Sequence, residues 1–183
     1  MNNLKSESSV LNELIKDVAK TQKKGLPFII TSVIIWILIF ITSGLRLPIG
    51  TRNIITFCCS CPLMPIAYII GRIMKVNIFE KRNPLSKVGF IFTCNQMIYL
   101  LIVMWVFSAV PEKMVMVYAM VFGAHLLPYS WLYKSKAYLV FSIIEPILAL
   151  ALGCVYGSQF LALVMIVLEI ILSLVLVIES RRM

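Results

Sequence analysis

Charge is what this sequence has least of. Charged residues make up 14% of its 183 positions, only eight residues are acidic and one is histidine, against 61% in the hydrophobic class. A soluble domain carries about a quarter charged and roughly 45–50% apolar residues. A water-soluble fold of this size has no means of hiding so much apolar surface. The lone histidine, His125, excludes multi-histidine metal chemistry. The five cysteines, Cys58, Cys59, Cys61, Cys94 and Cys154, are odd in number and all fall in apolar stretches, which excludes the disulfide framework of a small secreted domain. Cys58-Cys59-Ser60-Cys61 lacks the C-x₂-C spacing and a partner cluster, so small polarisable residues packed on a kinked helix are a better reading than a soft-metal site. Phosphate loops, nucleophile elbows and H-E-x-x-H are also missing. No metal, no cofactor and no enzymatic activity are expected. A cleavable signal peptide is not expected either, because about 24 polar residues precede a first apolar run too long for an h-region of about 7–15.

What is present is a series of apolar runs of bilayer length. A helix needs about 20 such residues to cross a hydrocarbon core of about 30 Å. Six runs fit, at about 26–44, 54–74, 88–110, 114–132, 137–156 and 158–178. They nearly exhaust the chain, so the expected fold class is all-α, a bundle of six transmembrane helices with short loops occupying 25–179. Pro62 and Pro65 should kink the second span; Pro128 lies in the last turns of the fourth and Pro146 inside the fifth. Residues 1–24 are polar. Leu4 starts a series of apolar residues at near-helical spacing, and Val10, Leu11, Leu14, Ile15 and Val18 form a stripe opposed by Lys16, Asp17 and Lys20. That predicts a cytoplasmic amphipathic helix on the membrane surface, with a frayed tail as the rival.

Basic residues test this division. Fourteen of the seventeen lie in residues 5–24, 72–87, 134–136 and 181–182, which fall on one side of the six runs. Only Arg46, Arg52 and Lys113 fall on the other. The bias assigns both termini and the second and fourth connectors to the cytoplasm. A formal net charge of +9 arranged in this way answers to anionic lipid headgroups rather than nucleic acid.

Polar groups inside the runs are the candidate site. His125 and Glu145 lie ten positions before and after Ser135, so an antiparallel hairpin puts both about 10–15 Å from its turn. Glu169 is about nine residues from the basic end of the sixth run, and Asn95 and Gln96 are seven and eight residues into the third. Five polar residues from four spans thus share one level. Ionisable groups at that depth usually face protein or a wet cavity. One reading is interhelical glue, with Glu145 or Glu169 protonated and bonded to Asn95, Gln96 or a backbone carbonyl. The other is a site for a proton, a cation or a polar substrate, in which His125 and a glutamate could share a proton. Coincidence is the third. Pro146 frees the carbonyl of Ser142 and Pro128 that of Ala124, a feature of broken transporter helices but also of plain kinks. Tyr129, Trp131, Tyr133 and Tyr138, with Lys134 and Lys136, suit an interfacial anchor.

Three stretches carry a resemblance: Lys24-Gly25-Leu26-Pro27-Phe28, Asn83-Pro84-Leu85, and His125-Leu126-Leu127-Pro128-Tyr129 running on through Trp131 to Tyr138. Together they resemble a family of small bacterial multi-pass membrane proteins of unknown function. The resemblance covers nearly the whole chain and implies a bacterial inner (plasma) membrane, with no catalytic residues to carry over. Three functional readings stay open. One is a small proton- or cation-linked transporter, using His125, Glu145, Glu169, Asn95 and Gln96. The second is a non-catalytic membrane subunit packing against a membrane-protein partner or a second copy of itself. The third is an intramembrane enzyme acting on lipid-like substrates. A cavity reaching the polar level from one side favours the first; a dry level with every group paired favours the second.

Reporter fusions at the amino and carboxyl ends should both report the cytoplasmic face. Ends on opposite faces would mean a wrong span count.

Overall fold

The computed structural model describes residues 2–80 and 82–183, with only the backbone of residues 2–6, so the side chains of Leu4, Lys5 and Lys81 lie outside the described residues. Every regular element among the described residues is helical. Helix α1 spans Asn2–Thr21, α2 Leu26–Gly44, α3 Ile49–Cys58, α4 Leu63–Ile73 and α5 Leu85–Ala109. Then come α6 Met114–Ala124, α7 Leu127–Leu132, α8 Lys136–Val155 and α9 Ser158–Arg181. Counting broken helices as one, six stretches are long and apolar enough to cross a membrane: Lys23–Gly44, Ile49–Ile73, Leu85–Ala109, Pro111–Leu132, Lys136–Val155 and Ser158–Arg181.

Proline and glycine set the boundaries. Pro48 precedes α3 and Pro84 precedes α5, where a missing N–H leaves no hydrogen bond unmade. The second stretch starts at Ile49, ahead of the apolar run that begins near 54, because a helix started by Pro48 carries on through the polar Thr51, Arg52 and Asn53. Pro62 breaks that stretch outright: residues 59–62 form a turn between α3 and α4. The fourth stretch breaks too, at His125 and Leu126, where the Leu126 N–H reaches back only to Gly123 O (3.1 Å). Pro128 in the first turn of α7 supplies the reason. By contrast α8 runs on through Pro146.

Both broken stretches end in the same way. Val76 N–H bonds Gly71 O (2.7 Å) after α4, and Ser135 N–H bonds Ser130 O (3.0 Å) after α7. The residues that turn the chain are Lys75 (φ 57°) and Lys134 (φ 45°), in the left-handed region that helix ends usually give to glycine.

Helix α2 is central, packed on α9 and α4, while α9 adjoins α8, and α8 packs on α6, which adjoins α5. Helices α4 and α5 hardly touch each other. Trp36 of α2 is fully buried, edge-on to Tyr118 and Phe122 of α6 at 5.6 and 5.8 Å. Close approach of α6 and α8 depends on missing side chains: a Cβ on Gly123 would sit 2.6 Å from Glu145 Cβ, and one on Gly153 would sit 2.4 Å from Met116 Cγ. This is the small-residue contact that membrane helices use in place of a hydrophobic driving force. At the lysine-rich end α1 lies against the bundle. Ile15, Val18 and Ala19 are buried with Leu126, Leu132, Leu172 and Leu176, while Val10 and Leu11 of the same stripe stay exposed. Asn83 fastens α1 by donating to Leu14 O and Asp17 Oδ2, both at 2.8 Å.

Gly123→Ala should destabilise the chain by about 1–3 kcal/mol, the usual cost of overpacking, read as a lower unfolding midpoint in detergent. Gly50→Ala, where nothing lies within 4 Å of the added methyl, should leave the midpoint in place. Equal midpoints for the two variants would contradict the tight α6–α8 contact.

Candidate functional site

A cavity of about 100 Å³ lies between α2, α4, α5 and α7. Its lysine-rich end is framed by Gln22, Gly25 and Ser86, and its deep end by Ser32, Gln96 and His125. Seven residues separate Gly25 from Ser32, so it descends about 10 Å along α2. Phe122, Tyr129, Tyr133 and Tyr138 line one side; Phe79 and Phe90, both more than half exposed, flank the gap between α4 and α5. At the opposite end of the bundle the broken second stretch closes onto its neighbours. Ser60 Oγ meets Tyr118 OH, and Asn53 Nδ2 donates to Pro111 O at 2.8 Å.

The rim is built from an unusual turn. Lys23 (φ 45°), Lys24 (φ 52°) and Gly25 (φ 71°) are three left-handed residues in succession, a conformation that persists only where surrounding contacts enforce it. Those contacts are present. Lys24 Nζ pairs with Glu179 Oε2 at 2.7 Å, Ser135 Oγ donates to the same carboxylate, and Tyr138 OH donates to Lys24 O at 2.7 Å. Lys23 Nζ donates to Met74 O, and Tyr133 OH donates to Gln22 Oε1, both at 2.8 Å. At Gly25 any side chain would also meet Tyr133 and Tyr138, within 3.1–3.3 Å of the added carbon.

Behind the deep end stand Glu145 and Glu169, both with 0% exposure. Their carboxyl groups are close neighbours. Neither oxygen of Glu145 and not Oε1 of Glu169 meets a protein donor. Among the described residues, Ser32 links the pair to the cavity by hydrogen bonding: its Oγ makes a very short contact with Glu169 Oε2 and lies 2.6 Å from Ile29 O. A hydroxyl has one proton to give, and a backbone carbonyl can only accept. Ser32 can therefore point its proton at Glu169, or point it at Ile29 and accept one from Glu169.

The sequence-predicted residues separate under this geometry. His125 reaches the cavity but not Glu145; its Nδ1 contacts Phe122 O, and its ring packs on Phe122 and Tyr129. Glu145 is held level with this region, as its contact with Gly123 shows, yet it turns to Glu169. Gln96 is buried and lines the cavity; Asn95 is half-buried and does not. Ser32 is one hydroxyl among several in an apolar run, and its depth from Lys24-Gly25, which matches that of the other polar residues, is the signal that marks it. Glu179 lies at the very end of the last run, where a carboxylate gives no sign of a partner inside the bundle. The cysteines are all free, and no group of metal-ligating side chains forms among the described residues.

A family model described as a family of unknown function, DUF7010, matches residues 11–179. The chain belongs to the DUF7010 family. No curated protein and no solved structure matches it. In this DUF7010 chain the three stretches behind the resemblance come together. Lys24-Gly25 forms the cavity rim, Asn83 ties α1 beside it, and the segment from His125 to Tyr138 supplies one wall.

Proposed function

We propose that the protein is a six-span carrier in the cell (plasma) membrane, with both ends cytoplasmic, and that it moves protons in exchange for another solute through the Glu145–Glu169 pair. The observation behind this reading is the pair itself: two wholly buried neighbouring carboxyls with no cation beside them among the described residues. An unpaired ionised group there costs several kcal/mol, so glue alone is a poor use of two. Protons give partners to one oxygen of Glu145 and to Glu169 Oε1, leaving the second oxygen of Glu145 the one without a donor. Glu145 donates to Glu169 Oε1, Glu169 donates to Ser32 Oγ, and Ser32 donates to Ile29 O. Losing one proton leaves a singly charged pair in which Glu169 accepts from both Glu145 and Ser32. The Ser32 hydroxyl is then the one group that turns, and it turns at the edge of the cavity. A route between pair and cavity is what distinguishes a carrier site from a dry structural layer.

His125 and Gln96 belong in this reading to the cavity that receives the solute, and Asn95 has no part in it. We infer no catalysis, because the carboxyls reach the cavity only through one serine hydroxyl.

The test is proton movement in proteoliposomes holding a pH-sensitive dye, with sodium, potassium and small amine salts on both sides and an imposed pH gradient. The native chain should dissipate the gradient faster than empty vesicles, and Glu145→Gln should slow it at least about tenfold, a cost of about 1.4 kcal/mol or more in barrier height. An unchanged rate in Glu145→Gln removes the pair from the mechanism.

A further inference from the structure

We infer that the solute is a small organic ammonium ion, held in the cavity against its aromatic wall while the carboxyl pair carries the balancing negative charge. This rests on the proton-exchange reading above and specifies its substrate class.

Three features of the cavity converge on that class. First, none of its lining residues is lysine, arginine, aspartate or glutamate, in a chain of net charge +9. A ligand recognised mainly by its own anionic charge would find no counter-charge there. Second, the wall is a continuous row of rings: Phe122 to His125 at 5.1 Å, His125 to Tyr129 at 6.0 Å, Tyr129 to Tyr133 at 6.0 Å and Tyr133 to Tyr138 at 5.8 Å. Ring faces attract alkylated ammonium groups, which shed water easily and place their diffuse charge against the π-cloud. Third, the depth of the cavity meets Ser32, and through Ser32 the carboxyl pair. A cavity of about 100 Å³, at roughly 10–15 Å³ for each water-sized group, takes roughly seven to ten non-hydrogen atoms. An inorganic cation has no use for an aromatic wall, and a metal ion would need more oxygen or nitrogen ligands than the deep end offers.

Charge balance then couples the two ions. When the pair loses one proton its single negative charge is stranded in a low-dielectric surround. An ammonium ion entering the cavity compensates it across the Ser32 hydroxyl. Its departure favours return of the proton, so one proton leaves for each cation bound and the protein's net charge stays constant. The gap between α4 and α5, flanked by Phe79 and Phe90, gives a partly apolar cation a side entrance.

The experiment uses the purified full-length chain in detergent, titrated calorimetrically with choline in two buffers of different ionisation enthalpy, which counts protons released on binding. The control titrant is 3,3-dimethylbutan-1-ol, of the same shape without the charge. Choline should bind saturably and release about one proton, and the alcohol should bind at least tenfold more weakly. Tyr129→Leu should weaken choline about tenfold, and Tyr129→Phe should restore most of that loss. The double variant Glu145→Gln, Glu169→Gln should release no proton. Equal affinity for choline and the alcohol, or no choline binding by a chain whose proton flux depends on Glu145, overturns the substrate class and leaves the proton site standing. Choline binding without proton release, in a chain whose flux ignores Glu145, overturns both.

Discussion

Two glutamates pressed together inside an apolar bundle set the terms for everything around them. A buried carboxylate without a partner is among the most expensive groups a protein can hold, and a second one beside it doubles the difficulty. Among the described residues no lysine or arginine stands there, in a chain that has seventeen. The chain places a glycine on one side, so that α6 can close over Glu145, and a serine on the other, at the deep end of the cavity. Protons are the remaining means of satisfying the pair. A site held together by protons responds to whatever changes their number.

The two broken stretches shape the cavity beside that pair. An unbroken fourth span would carry the register of α6 straight through His125. The interruption at His125 and Leu126 lets the next turn begin afresh at Leu127, and the aromatic side chains that follow line the cavity wall. The break at residues 59–62 leaves α4 leaning on α2 and almost free of α5, which opens the flank on which the cavity lies. Across the bundle from the lysine-rich end, the Ser60–Tyr118 contact and the Asn53 bond to Pro111 O join α3 to its neighbours. The left-handed turn at Lys23, Lys24 and Gly25 is then tied down by Glu179, Met74 and Tyr138 so that the rim keeps its shape.

Much of this could be read in the sequence because one physical rule governs it. Apolar runs of bilayer length with turn residues between them predict six long helical stretches, and the chain has six, with the second and fourth each broken in two; counting along each run put His125, Glu145 and Glu169 at one level. Counting gives depth and is blind to rotation. Around the helix axis Glu145 turned out to face Glu169, and His125 to face the cavity, which no periodicity in an almost wholly apolar run could reveal. Ser32 was hidden for a related reason. A hydroxyl costs little in a membrane helix because it can bond its own backbone, so its presence carries no signal until its neighbour is known. The docking of Ile15 and Val18 onto the bundle was likewise beyond an amphipathic pattern, since the same stripe suits a lipid surface and a protein one.

Infrared spectroscopy of the purified chain bears most directly on the shared-proton pair. A protonated carboxylic acid has a C=O stretch well separated from the bands of an ionised carboxylate. At neutral pH the native chain should show such a band, shifted on transfer to deuterated water, reduced in Glu145→Gln and absent when Glu169→Gln is added. A native chain with only carboxylate bands at that pH would contradict the proton-held pair, and with it the role assigned to Ser32 and the cavity.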